Sequence, residues 1–382
     1  MKTIPKGSNY VPAICNHTMY HWLRHQEFAG RNFEFFNPGK SFFDYNIILQ
    51  NAYYRLSYEE DYDHRSRMKY PDDTIILGDS GGFQMMTFER KGKPVDLNAI
   101  QILRWLERNS DIGMNLDVPP SFMDFDAALS ESCRNFKIFE ENRQNYDFKL
   151  YNVLHGKTYD QIDQWYHVVK DFSFDGWALG IHPSTNVYLK LVAYLYLIER
   201  GEESVLNNCH FFGVSAPANM ISLSMLANKY DSALTFDSSS WAKGYQFMSY
   251  GFPLDIKKFV SLGEKSSDHS MIGMPCDCPV CSSMNIGDIY NYTPITSLLV
   301  SFHNLYQYLE VNRMIECFVD DMEVLPEYAK ALGEKDLIQN VTSIFDDFDK
   351  HGSRYVYDHY HDLFVKPNNN SFESNLFGWQ NL

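Results

Sequence analysis

Three aspartates each close an apolar run. Asp79 follows Thr74-Ile75-Ile76-Leu77-Gly78 and leads into Ser80-Gly81-Gly82-Phe83-Gln84. Asp117 ends Ile112-Gly113-Met114-Asn115-Leu116, and Asp237 ends Ala233-Leu234-Thr235-Phe236. One carboxylate can attack an anomeric carbon while a second carboxyl handles the proton, which is the logic of retaining glycosyl transfer through a covalent intermediate. A third can accept from the N1–H and exocyclic amine of a guanine-like base. Taken singly, each aspartate reads equally well as a helix N-cap or a loop turn. At the ends of successive strands they read as one site. Gly81 and Gly82 permit positive φ and leave bare backbone, and the Phe83 ring is flat and apolar. The stretch 74–84 is therefore expected to seat a planar heterocycle, with a glycine turn capped by Asp79 as the plain alternative.

A second constellation is chemically distinct. Cys276, Cys278 and Cys281 form C-x-C-x2-C, and His303 follows 22 residues after Cys281 within a segment of helical character. Three thiolates and one imidazole satisfy tetrahedral Zn2+ and leave no open position, so the expected role is structural. His269 competes with His303 for the fourth place. Three reduced cysteines in a turn are the plain alternative.

These residues need a scaffold that gathers strand ends. Apolar runs at 74–79, 112–118, 149–154, 176–181, 210–215 and 233–238 alternate with segments whose apolar residues recur every three or four positions, such as Val187, Leu191, Tyr194, Leu195 and Ile198. Alternation at intervals of about 25–40 residues implies βαβ units on a parallel sheet. The expected class is α/β, a (β/α)8 TIM barrel with a zinc-binding subdomain and a C-terminal helical extension, in which the C-terminal strand ends form the mouth. A doubly wound sheet is the alternative fold, but no G-x-G-x-x-G or P-loop opens a helix. The expected organisation is an irregular N-terminal segment over 1–70, packed on the barrel, then a barrel core carrying the active site over 71–265. A zinc-binding subdomain with its closing helix follows over 266–311, and an acidic helical extension over 312–382.

The chain has 382 residues, 45% of them apolar and 16% aromatic, enough for a full core. No apolar run approaches the roughly 20 residues that span a bilayer, and residues 1–6 lack a signal-peptide stretch. A cytoplasmic protein with no membrane partner is expected. The net charge of −16 argues against a generic polyanion binder. The charge is uneven: residues 1–70 carry nine basic against seven acidic residues (+2), and residues 311–382 six against thirteen (−7). A nucleic-acid face is compatible with the chain if it avoids the C-terminal part.

Together these residues resemble the queuine and archaeosine tRNA-guanine transglycosylase superfamily. Asp79-Ser80-Gly81-Gly82-Phe83-Gln84 resembles its D-S-G-G-[FY]-Q motif. Cys276-Asp277-Cys278-Pro279-Val280-Cys281 with His303-Asn304 resembles its zinc motif, and Phe236-Asp237 the strand end bearing its nucleophile. The match runs in order from about residue 74 to 310. The resemblance implies a (β/α)8 barrel, structural zinc and base exchange, in which a guanine leaves its sugar and a 7-deazaguanine replaces it. It implies that Asp237 attacks C1′ and that Asp79 is the general acid and base. It places Asp117 on the amine edge of the base, Ser80 in the base site, the backbone at Gly180 and Ile181 on its carbonyl, and Phe83 and Phe212 on its two faces. His155 stands where the family usually has Gln before Gly.

The larger departure follows Asp237. Where the tRNA enzymes carry Pro-Thr-Arg, this chain has Ser238-Ser239-Ser240-Trp241-Ala242-Lys243-Gly244. That segment is more similar to the DNA-guanine transglycosylase branch of phages and bacterial DNA-modification islands, which insert 7-deazaguanines such as 7-cyano-7-deazaguanine (preQ0). The branch implies DNA in preference to tRNA, a target guanine flipped from the stack, Trp241 stacked beside it and Lys243 on a phosphate. Phage origin would place the protein in the host cytoplasm. A homodimer or an accessory protein is compatible with either branch. A tRNA enzyme, a catalytically silent zinc-barrel partner and a sugar-cleaving glycosidase are the alternatives.

Overall fold

The structure, a computed structural model, describes residues 2–14, 25–59, 63–93, 96–181, 187–242, 249–252, 254–261, 276–285, 288 and 293–364. Eight parallel strands close into a barrel: β1 (Gly7–Ile14), β2 (Ile47–Asn51), β3 (Ile75–Asp79), β4 (Ile112–Met114), β5 (Lys149–Leu154), β6 (Gly176–Leu179), β7 (Cys209–Phe211) and β8 (Ala233–Ser238). Each strand pairs with its neighbours in chain order, and β1 seals the ring by pairing with both β2 and β8. The seam register sets Val11 beside Asp237, and the β2–β3 register sets Asn51 beside Asp79.

Two strands come from a region read as irregular. β1 and β2 lie within residues 1–70, so the expected boundary at 70/71 does not separate a segment from the barrel. The run Gly7-Ser8-Asn9-Tyr10-Val11-Pro12 is dense in turn formers, and Pro12 cannot donate to a ladder. Barrel closure overrides that local preference. Asn9 Nδ2 reaches across the seam to the Leu234 carbonyl at 3.0 Å.

The connecting helices are α1 (Ala52–Glu59), α2 (Gly82–Arg90), α3 (Ala99–Asn109), α4 (Phe125–Asn142), α5 (Tyr159–Val169), α6 (Val187–Glu199) and α7 (Pro217–Lys229). α3 starts on a capping box, in which Asn98 accepts from the Gln101 N–H and Gln101 accepts from the Asn98 N–H. Each bond satisfies a donor left open at the helix start. α6 is apolar almost all round. This is explained by its position, since it packs against α7 and is covered by α10 (Leu337–His359). Between them in sequence lie α8 (Pro294–Phe318) and α9 (Val324–Ala331). α8 continues through the expected boundary at 311/312 without a break. Its far end braces the barrel floor, where Glu316 accepts from the Ser8 N–H at 3.1 Å and Ser8 Oγ at 2.7 Å. Among the described residues, no helix is long and apolar enough to cross a membrane.

Candidate active site and metal centre

The carboxylates converge at the C-terminal ends of the strands. Asp79 is the last residue of β3. Its Oδ2 accepts from Asn51 Nδ2 at 2.6 Å and its Oδ1 from the Gly81 N–H at 3.0 Å. Burial pushes its carboxyl up to about 7, with the negative charges of Asp117 and Asp237 adding to the rise and the two hydrogen bonds opposing it. Such a group is available as both acid and base near neutrality. Asn51 also donates to Gln84 Oε1 at 3.0 Å, so the end of β2 ties Asp79 to the first turn of α2.

The glycine pair after Asp79 is required by its surroundings. Gly81 sits at φ +88°, a left-handed conformation costly for other residues. A Cβ on Gly82 would land on the backbone carbonyl oxygen of Asp117. The start of α2 therefore lies directly against the loop that carries Asp117. That carboxylate is buried and contacts His155 Nε2 through its Oδ2 at 2.7 Å. The His155 ring rests edge-on against Trp165, 4.9 Å between centroids. His155 thus buttresses Asp117 from the end of β5.

Asp237 is the penultimate residue of β8. Its Oδ1 accepts from the Gly213 N–H at 2.9 Å, and its own carbonyl accepts from the Val214 N–H at 2.8 Å. Gly213 is left-handed at φ +66°, which lets the turn after β7 wrap the aspartate. The same turn is gripped from behind. Lys190, buried in α6, donates to the Phe212 carbonyl at 3.0 Å. Burial pulls its ammonium down to about 8, and the charge of Asp237 opposes that fall.

The other expected site residues are distributed unevenly. Phe83 is 46% exposed at the mouth and leans on the Phe122 ring at 4.9 Å. Phe212 is half-buried and edge-on to His210. Gly180 gives its N–H to the Leu154 carbonyl, and Ile181 is buried beside it. Ser80 is fully buried and donates to the Asn115 carbonyl at 3.0 Å, so its hydroxyl braces strand ends instead of facing a base. Trp241 also departs from its expected place beside a flipped base. It is 0% exposed and packs against Phe302, 6.4 Å between centroids, because α8 crosses that end of the barrel. No face of the indole is left for a flipped-out base to stack on. Lys243 and His269 lie outside the described residues. Asn51, Lys190 and His210 were missed. The signal for Lys190 was present, as a lysine within the apolar run Val187-Tyr188-Leu189-Lys190-Leu191-Val192.

The second constellation also assembles. Cys276, Cys278, Cys281 and His303 place their donor atoms within 4.8 Å of one another. His303 Nδ1 is 3.5 Å from Cys278 Sγ and 3.2 Å from Cys281 Sγ. Bonds of about 2.3 Å to sulfur and about 2.0 Å to nitrogen around a tetrahedron bring donors to similar separations. His303 Nε2 donates to the Gly251 carbonyl at 2.7 Å, which fixes its proton there and turns the Nδ1 lone pair toward the cysteines. The Cys278 and Cys281 N–H groups donate to Cys276 and Cys278 sulfurs, each at 3.4 Å, as expected around thiolates. The donor set fits zinc in a closed, structural site. Adjacent Asn304 accepts from the Gly251 N–H and donates to the Ser249 and Trp241 carbonyls. The His-Asn pair thereby joins α8 to the strand β9 (Ser249–Phe252) and to the segment after Asp237.

Fold and site define a class: a (β/α)8 barrel with three carboxylates at its mouth and a Cys3His cluster packed against its closing helix. The sequence profile of the queuine tRNA-ribosyltransferase family (TGT) matches residues 38–321, which is 284 of the 382 residues, and the chain belongs to that family. Relatives include the tRNA-guanine(15) transglycosylase of Methanosarcina mazei, 26% identical over 262 residues, which are 66% of this chain and 49% of the relative. The enzymes of the same name from Methanosarcina barkeri and Methanosarcina acetivorans are each 25% identical over the same length. The chain spans about half the length of these curated relatives.

Proposed function

We propose that this protein is a pentosyltransferase that exchanges a guanine in a polynucleotide for a free 7-deazaguanine. The observation that carries the reading is the carboxylate set. Asp79, held near neutrality, faces both Asp117 and Asp237 at one mouth. In the first half-reaction an oxygen of Asp237 forms a bond to C1′ as the bond from C1′ to the guanine nitrogen breaks, and Asp79 gives its proton to the departing base. In the second, Asp79 takes a proton from the incoming base, whose nitrogen displaces Asp237 from C1′. Asp117, backed by His155, reads the amine edge of the base. Phe83 covers one face and Phe212 the other. Zinc in the Cys3His cluster would hold α8, through His303, to the cysteine segment 276–281 and would supply no chemistry at the mouth, while Asn304 ties α8 to the segment after Asp237 through the Trp241 carbonyl. A cytoplasmic location goes with this role.

The relatives' names support tRNA as the acceptor. A specific observation favours DNA as the second reading: Ser238-Ser239-Ser240-Trp241-Ala242-Lys243-Gly244 replaces the Pro-Thr-Arg stretch of the tRNA enzymes. The buried position of Trp241 removes the indole from that argument and leaves the segment's composition. The test supplies labelled guanine or labelled preQ0 together with bulk tRNA or duplex DNA, with Asp237→Asn as the blank. Label entering tRNA supports the relatives' acceptor, and label entering duplex DNA supports the second reading. Label entering neither, from folded protein, overturns base exchange.

A further inference from the structure

We propose that His210 is the positioning residue of the nucleophile, clamping Oδ1 of Asp237 so that Oδ2 is the oxygen that attacks C1′. The proposal rests on the base-exchange reading. His210 lies on β7, 0% exposed, with Nε2 3.4 Å from Asp237 Oδ1. Among the described residues that buried nitrogen has no hydrogen-bond partner. A buried ring nitrogen left unpaired is costly, and this one is aimed at the nucleophile.

The proton on the ring can be placed. A bare nitrogen facing a carboxylate oxygen would set two lone pairs together, so Nε2 carries the N–H. In the neutral ring Nδ1 is then an acceptor. Thr235 Oγ1 has one proton and two acceptors in reach, the Cys209 carbonyl at 3.2 Å and Nδ1 at 3.0 Å, and with Nε2 protonated it turns that proton to the nearer Nδ1. Thr235 and Asp237 are both on β8, two residues apart, so one strand sets the ring's tautomer and receives its donation.

Oδ1 is thus approached by two donors, the Gly213 N–H at 2.9 Å and the His210 N–H. Oδ2 remains for the sugar. When Oδ2 bonds to C1′, Oδ1 becomes the carbonyl oxygen of the glycosyl ester and keeps both donors. When the incoming base displaces the ester, the electron pair of the breaking C1′–Oδ2 bond returns to the carboxylate, and the same donors meet the returning charge. A contact of 3.4 Å is long for a hydrogen bond. Such contacts tighten when substrate occupies a site, and a shift of a few tenths of an ångström suffices here.

The experiment compares His210→Phe and His210→Gln with the wild type, using labelled guanine with bulk tRNA and with duplex DNA, and following whichever takes label. The expected result is a fall in kcat of about a hundred- to a thousandfold for His210→Phe, with the KM for guanine unchanged. His210→Gln, which can restore an N–H toward Oδ1, should recover most of the rate. Full kcat in His210→Phe, or equal loss in both variants, overturns the proposal. Failure of the underlying reading looks different: the wild type itself then exchanges no base. Nitrogen-15 spectra of the wild-type histidine rings, assigned through His210→Gln, test the clamp in that case as well. A protonated Nε2 on His210 whose shift moves in Asp237→Leu supports the contact, and a bare Nε2 refutes it.

Discussion

Replacing Asp79 by asparagine should make the protein more stable at pH 8 while abolishing exchange. The Asp79 carboxyl is pushed from its ordinary 3.8 up to about 7. That gap is about 3 pH units, and each unit corresponds to about 1.36 kcal/mol. Ionising the folded protein above pH 7 therefore costs at most about 4 kcal/mol. Between pH 4 and 7 the folded state holds a proton that the unfolded chain has released, so stability falls as pH rises through that window. An amide does not titrate and escapes the cost. Against the gain stand two discounts. The carboxyl is only half-buried at the barrel mouth, and the amide oxygen serves one of the two present donors, forfeiting about 1 kcal/mol. Asn51 keeps Gln84 as a partner, which limits that loss. The net expectation is a gain of about 1–3 kcal/mol at pH 8, shrinking as the pH is lowered to 5. Urea unfolding at pH 8, 6.5 and 5 measures it. An Asp79→Asn protein that is less stable at pH 8, or whose advantage is the same at all three values, would refute the electrostatic account of this carboxyl.

The same carboxyl sets the pH response of the reaction. Formation of the covalent sugar–protein adduct needs protonated Asp79, so its rate should fall tenfold per pH unit above about 7; a rate flat to pH 9 in single-turnover trapping would remove Asp79 as the acid. Cys278→Ser should lose bound zinc and lower the unfolding temperature, because three ligands hold the ion less tightly and α8 then loses its link through the metal to the cysteine segment 276–281. Metal analysis and a thermal melt check this, and a metal-free variant with an unchanged melt would contradict it. Gly82→Ala should cost about 2 kcal/mol or more, since its Cβ meets backbone and not a movable side chain. It should also weaken guanine binding by displacing Asp117. Denaturant unfolding and a guanine KM report the two effects separately, and a variant like the wild type in both would show that the α2 start and the Asp117 loop are free to separate.

The barrel was legible where strands are apolar and buried on both faces, as in Ile75-Ile76-Leu77 and Leu150-Tyr151-Asn152-Val153-Leu154. β2 carries the same signal in Ile47-Ile48-Leu49, and the barrel was illegible only at β1. There Gly7, Ser8, Asn9 and Pro12 give a turn-like local signal, and the pairing that makes β1 a strand is with β8, far along the chain. The metal cluster could be read from spacing because Cys276, Cys278 and Cys281 are neighbours in sequence, whereas preference for His303 over a nearer histidine depended on α8 folding back. The carboxylates could be read because each ends its own strand. Their partners could not be assigned to them, since Asn51, His210 and Lys190 reach the site from β2, β7 and α6; Lys190 stands out in its apolar run, but no local pattern links any of the three to Asp79 or Asp237. Trp241 marks the converse failure. An aromatic beside a nucleophile suggests a stacking surface, but only the path of α8 shows that the ring is roofed over.

The seam between β1 and β8 bears on how the molecule is made. The first barrel strand to leave the ribosome must wait for the last before its ladder can form, and long-range pairings of this kind are slow to close. Closure is not secured by β8 alone. Glu316 and Asn312 of α8 hold Ser8 at the floor, and the same helix presents His303 to the cysteines. During synthesis β1 therefore lacks its β8 partner until residue 238 has emerged, and its brace on α8 until residue 316 has. Availability of zinc at that moment would decide whether α8 docks promptly or whether β1 stays unbraced and open to aggregation. Metal supply in the cell would then govern the yield of folded protein without ever entering the chemistry at the mouth.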